Sequence, residues 1–327
     1  VSHRFLSAIL VAATVVLFAL ALTERRATGQ QRWERDTPKL PMAKTWVQHK
    51  ANLPPYTPPR MPDGVPNLQG VWGGPGGAAT DDIEEHDYVD VTTPPQESFI
   101  SDPADGRIPY TPRALAFRNR MRAGLARGWP GESGERLHVD PNSFCLPAVG
   151  PRAATPEIIQ KPGYVIMVGP RSHRVIPTDG RRHLKQDVKL WTGNSRGRWE
   201  GDTLVVDIAN LNGMHWFDSV GNYYSSNTRM VERWTMVDAN TIDYEITVED
   251  PTIYTRPWKM NFPRRRAGTG GTDIRTGKYA WRDTAEVDSN PYMRETWENS
   301  CNEGNAHHLQ GIRELGFKWF VGPTTTP

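Results

Sequence analysis

The densest group of reactive side chains lies around one turn, where His173-Arg174 is followed closely by Asp179-Gly180-Arg181-Arg182-His183. Arg181 could grip a ligand carboxylate through paired N–H donors, with His183 as acid or base near neutral pH. A hairpin here would set His173 beside His183. No third ligand stands at a spacing diagnostic of zinc, so no metal site is expected. Asp-Gly is equally the pair that a tight turn requires for structural reasons alone.

Glu232 is the second candidate. In a strand, period-two alternation puts Met230, Glu232, Trp234 and Met236 on one face and Arg229, Val231, Arg233 and Thr235 on the other. If the Met and Trp face is the interior, Glu232 is a carboxylate inside the fold. It must then be paired or protonated, either as an acid–base group or in an ion pair with an arginine on a neighbouring strand. Arg233, on the opposite face, is a candidate ligand contact.

His215-Trp216-Phe217-Asp218 sits in a stretch rich in Gly and Asn and reads as a loop at a barrel mouth. There His215, Trp216 and Asp218 would suit a sugar or aromatic ligand. Near the end of the chain, Glu303 and His307 follow Cys301 and form a last candidate pair. His307 and His308 diverge by about 100° on a helix and cannot easily share one metal. No Gly-x-Ser-x-Gly, His-Glu-x-x-His, phosphate-loop, Gly-x-Gly-x-x-Gly or Cys-x-x-Cys motif occurs. No cofactor is expected.

The elements that must hold these groups read mainly as strands. Tyr164 to Val168 is a short apolar run after Pro162-Gly163, and Arg174-Val175-Ile176 precedes the Asp179-Gly180 turn. Trp199 to Asp207 is a hairpin turning at Glu200-Gly201-Asp202. Met230 to Val237 and Thr241 to Val248 form a second, around Asp238-Ala239-Asn240. Successive hairpins imply an antiparallel sheet curled into a barrel or folded into a sandwich, with one or two peripheral helices. One helix is expected from Thr111 to Leu125, with Thr111 as cap, Pro112 in the first turn and Phe117, Met121 and Leu125 facing inward. A shorter one is expected from Ala306 to Leu315.

The chain opens with the basic His3-Arg4, an apolar run from Phe5 to Leu22 and the small residues Ala19-Leu20-Ala21. This is a secretory pattern, and the almost unbroken apolar run of eighteen residues is also long enough for a marginal membrane anchor. A periplasmic or extracellular protein follows, with a signal segment over 1–29, a Pro-rich extended arm over 30–66, one β-rich domain over 67–322 and a disordered tail over 323–327. The arm has no core of its own and would be anchored by Trp33, Trp46 and Tyr56. The formal net charge is +2, and removal of the signal segment leaves it near +1 or zero. No nucleic-acid partner is expected, nor any membrane contact beyond the N-terminal segment.

Cys145 and Cys301 are the two cysteines. In an oxidising compartment they are expected to pair, and closing so long a loop would restrict the unfolded chain by roughly 5 kcal/mol in the entropic model. Unreduced protein should therefore have a mass lower than the dithiol form by the pair of hydrogens lost. Free alkylation of both thiols in native and denatured protein would exclude the bridge.

Several phrases together resemble secreted, β-rich bacterial families of acidobacterial type. They are Pro66 to Trp72, Cys145-Leu146-Pro147, Ile159 to Gly163, Asp179 to His183, Gly197 to Asp207, Val231 to Trp234, Asp250 to Trp258 and Cys301 to Asn305. The resemblance implies export and a β-rich fold but brings no activity with it. In that family a His-Pro often follows the Asp-Gly-Arg turn and a His-Ser precedes the Val-Glu-Arg strand. Here these positions read His183-Leu184 and Tyr224-Ser225, so a histidine metal site there would be incomplete. Gly70-Val71-Trp72 also resembles the first strand of lipocalin-type barrels.

Three functions fit these features. The first is a barrel or sandwich whose concavity binds a small organic ligand. The second is an acid–base hydrolase, lyase or isomerase on the same scaffold using Glu232 and a histidine. The third is an envelope interaction protein that docks through its Pro-rich arm.

Overall fold

The computed structural model describes residue 39 and residues 42–73, 82–87, 95–125, 140–144, 146–153, 157–169 and 173–266. The fold is mainly β. Ten antiparallel strands form one sheet: β1 (Gly70–Gly73), β2 (Ile100–Asp102), β3 (Glu157–Lys161), β4 (Tyr164–Val168), β5 (His173–Pro177), β6 (Asn194–Glu200), β7 (Thr203–Ala209), β8 (Arg229–Asp238), β9 (Thr241–Glu249) and β10 (Trp258–Arg266). Their order is β5-β4-β3-β1-β10-β9-β8-β7-β6, with β2 also pairing with β10.

Both expected hairpins form, with short turns. Glu200 pairs with Thr203 and Lys161 with Tyr164, so each of these turns has two central residues. Gly163, at φ +77, supplies the left-handed residue that a Pro-Gly turn needs. Between β8 and β9 an extra residue, Val237, makes a bulge, and the Asp238 carboxylate accepts from the Asn240 N–H at 2.7 Å.

The sheet is unclosed, because its end strands β5 and β6 do not pair. It is nonetheless strongly curled. β5 and β8 lie six places apart and in a flat sheet would be separated by roughly 29 Å. Yet Arg174 on β5 reaches Glu232 on β8 at 2.6 Å. At the unpaired seam the two ends touch through side chains. A Cβ on Gly197 of β6 would stand 3.0 Å from an Ile176 methyl and 2.9 Å from the Thr178 methyl, so the missing side chain is what lets β5 lean on β6.

The inner face carries the core, with Trp72, Trp234, Trp258, Tyr244 and Phe262 all buried. A short 3-10 turn, Gly150–Arg152, is buried with them, and Phe217 packs edge-on against Trp258 with ring centroids 5.4 Å apart.

Helix α1 (Ala43–Lys50) lies where extended chain is expected from the proline content, and the 42–66 segment does contribute to the core. Its start is capped from a distance by Glu97, which accepts from the Met42 N–H at 2.9 Å and from the Thr45 hydroxyl. Trp46 is fully buried and donates to Asp243 at 2.8 Å, which also pairs with Lys50. These contacts outweigh a composition that otherwise favours extended chain.

Helix α2 (Pro112–Ala123) is the expected one, with the Thr111 side chain accepting from the Ala114 N–H. Met121 and Leu125 are buried and Phe117 is half-buried, as their spacing requires. Arg118 is buried as well. It pairs with Glu84 at 2.9 Å and donates to Asn222 at 2.8 Å.

Among the described residues no helix is long and apolar enough to cross a membrane. The N-terminal signal pattern, the Cys145–Cys301 bridge, the helix expected at Ala306 to Leu315, Glu303 and His307 lie outside the described residues.

Candidate functional site

One end of the curled sheet is covered by an arch, residues 60–68. At one foot Arg60 pairs with Asp202 in the β6–β7 turn. At the other, Gln160 on β3 accepts from the Leu68 N–H at 2.6 Å and donates to the Pro66 carbonyl at 2.9 Å. In between, the Met61 N–H donates to the Val65 carbonyl at 2.8 Å. The arch is therefore fastened on both sides of the mouth.

Beneath it lies a cleft of about 500 Å³, lined by Met61 and Val65 from the arch, Gln160 and Tyr164 from β3 and β4, Thr178 beyond β5 and Trp199 at the end of β6. The lining spans the seam where β5 and β6 are unpaired. Tyr164 and Trp199 are both half-buried and so present ring surface to the cleft. Aromatic faces with a few polar groups at the rim suit a planar or sugar-ring ligand.

Arg181 holds one of those rings. Its guanidinium lies 5.4 Å from the Tyr164 centroid and donates to the Tyr164 hydroxyl at 2.8 Å. Asp179 fixes the guanidinium in turn through several N–H···O bonds, which hold the Asp179 carboxyl down at about 2. Arg181 thus supports a cleft wall and spends its charge on its own turn. His173 and His183 are not side by side. His173 is exposed opposite Val168, whereas His183 sits 3.2 Å from Asn194 and 3.5 Å from Asp207. Arg233 points outward and pairs with Glu200 at 2.7 Å.

Glu232 faces the interior with Met230, Trp234 and Met236, all buried, as the alternation requires. Its partner comes from across the curl and not from a neighbouring strand. Arg174 makes two parallel bonds to it, at 3.1 and 2.6 Å, and Tyr244 and Trp234 donate at 2.7 and 3.3 Å. Burial pushes the Glu232 carboxyl up, but Arg174 facing it more than offsets this and holds it below its ordinary value. Arg264 is buried beside the pair, stacked 4.5 Å from the Tyr244 ring and 5.1 Å from that of Trp234. The described part of this cluster holds two guanidiniums and one carboxylate: Arg174 and Glu232 are hydrogen-bonded to each other, whereas Arg264 reaches only the Gly150 and Ala153 carbonyls, at 3.4 Å, and its Nε and Nη1 have no hydrogen-bond partner among the described residues.

The His215 to Asp218 stretch is core and not a mouth loop: all four residues are fully buried. The His215 Nδ1 accepts from the Trp216 N–H at 2.8 Å. Burial first, then the charge of Arg152, lowers its pKa to about 4, so the ring is neutral. Asp218 accepts from the backbone N–H groups of Ile83, Val220 and Asn222 at 3.0 to 3.1 Å. Burial, and then the neighbouring Asp82, raise its pKa to about 7. These bonds tie residues 82–84 to the 215–223 loop.

Glu232, His183, His215 and Asp218 therefore do not converge, and among the described residues no three metal-ligating side chains do. Tyr164, Trp199 and Gln160 escape a reading based on reactive residue types, because they are ordinary strand residues until the arch covers them. The one local signal is Pro162-Gly163, which marks a tight turn at the mouth. No protein family, curated protein or solved structure matches the chain.

Proposed function

We propose that this is an exported binding protein whose curled sheet works as a barrel open along one seam, and that it holds a small planar or sugar-ring molecule between Tyr164 and Trp199. The observation that carries this reading is the fastened arch over a cleft with two aromatic walls. Fixing the walls before binding reduces the ordering cost of association. The acid–base reading has less support, since Glu232 is committed to Arg174 and Tyr244.

Calorimetric titration with monosaccharides and with small aromatic compounds should identify a ligand class. Trp199→Ala and Tyr164→Ala should each weaken its binding by about tenfold or more. Arg181→Ala should have a smaller effect in the same direction, through loss of Tyr164 positioning. A ligand that binds all three variants as well as the parent would place the site elsewhere, and steady consumption of the compound would instead favour the enzyme reading.

A further inference from the structure

We infer that the loop between β5 and β6 is a docking surface for an anionic lipid bilayer. The six exposed large hydrophobic residues among those described include Val175 on β5 at 50%, Leu184 at 44%, Val188 at 39% and Leu190 at 38%. Four of the six thus fall within one short stretch of chain. Three of them are on the loop itself, which is not free to tuck them in. The Asn210 side chain donates to the carbonyls of Lys185 and Val188 at 2.7 and 2.9 Å, and the Leu190 N–H donates to the Asn210 carbonyl at 2.8 Å. Asn210 does this at φ +62, left-handed backbone that non-glycine residues rarely adopt. The loop is therefore fixed in a shape that displays aliphatic side chains to solvent.

The charge around them is mainly positive. Arg182, Lys185, Lys189 and the half-buried Arg196 form no ion pair among the described residues, although Lys189 donates to the Ser226 carbonyl. Asp179 is taken by Arg181, which leaves Asp187 as the one acid of this loop without an arginine or lysine partner. The chain as a whole is nearly neutral, and that balance hides a local excess of cations. Aliphatic side chains interspersed along one loop with lysine and arginine match a bilayer surface with anionic headgroups, where the former enter the interface and the latter meet phosphate. An acidic protein would match the charges but leave the aliphatics without a stated partner.

The test uses the full chain and vesicles of phosphatidylcholine with or without phosphatidylglycerol. The comparison that reads the loop is parent against loop variant on the same vesicles, since both carry the same N-terminal segment with its flanking Arg4, Arg25 and Arg26. The anionic vesicles should bind on the order of a hundredfold more tightly at low salt, an advantage that shrinks as salt is added. Lys185→Glu with Lys189→Glu should cut that advantage by about tenfold or more. Leu184→Ser with Val188→Ser should weaken binding to the anionic vesicles while preserving its salt dependence. Equal affinity of the parent for both vesicles, or an anionic preference undiminished by the charge reversal, would overturn the proposal. So would soluble polyglutamate holding the loop as tightly as the vesicle does, since the partner would then be an acidic chain.

Discussion

Glu232→Gln should lower the free energy of unfolding by about 3–5 kcal/mol, the usual cost of removing one partner from a buried ion pair. The amide keeps the shape and can still meet Tyr244, but it leaves Arg174 and Arg264 buried without the carboxylate that offsets their charge. Glu232→Gln combined with Arg174→Met should recover part of the loss, because one of the two uncompensated cations goes as well while Arg264 stays buried. Denaturant unfolding measures both, and a single variant as stable as the parent would mean that the pair contributes nothing net. The cleft lies apart from this cluster, so affinity for a Tyr164 and Trp199 ligand should persist in Glu232→Gln. Lost function with stability retained would instead make Glu232 part of a site.

Between about pH 5 and pH 6.5 two buried groups should pull stability in opposite directions and nearly cancel. Asp218 has its pKa raised from 3.8 to about 7. Its contribution is fully present below 3.8 and is lost as the pH rises through 7, because the folded state holds a proton that the unfolded state has released. His215 has its pKa lowered from 6.5 to about 4. Its penalty is felt where the unfolded ring is protonated and the folded ring is not, so stability increases with pH up to 6.5. Asp218→Asn should unmask that increase, about 2 kcal/mol across the window, and His215→Gln should unmask a decrease of similar size. The carboxylates with lowered pKa, Glu232 and Asp207 among them, lose their contribution only at lower pH. Unfolding curves at several pH values for the parent and both variants test this, and parallel slopes in all three would refute it.

Much of the local structure is legible in the order of the residues. Strict alternation from Thr241 to Val248 and from Arg229 to Met236 specifies which side chains go inward, and the burial of Met230, Glu232, Trp234 and Met236 follows it. Thr111-Pro112 starts a helix because a side-chain oxygen and a fixed φ satisfy its first turn. The same logic fails for α1, whose cap is Glu97, far along the chain. It fails again for His215 to Asp218, where Gly and Asn neighbours suggest a surface loop and tertiary packing buries all four residues.

Periodicity and turn chemistry act over a few residues, and over that range they specify hairpins, inward faces and the α2 cap. They do not specify which hairpins become neighbours. The placing of β1 between β3 and β10, and the curl that brings β5 over β8, depend on contacts between segments far apart in the chain. Only the tertiary structure therefore assigned Arg174 to Glu232, Arg181 to the support of Tyr164, and the Pro-rich 60–68 segment to the arch over the cleft. Each of these is a meeting of residues that no local rule relates, settled by which arrangement pairs the buried charges and covers the aromatic core together.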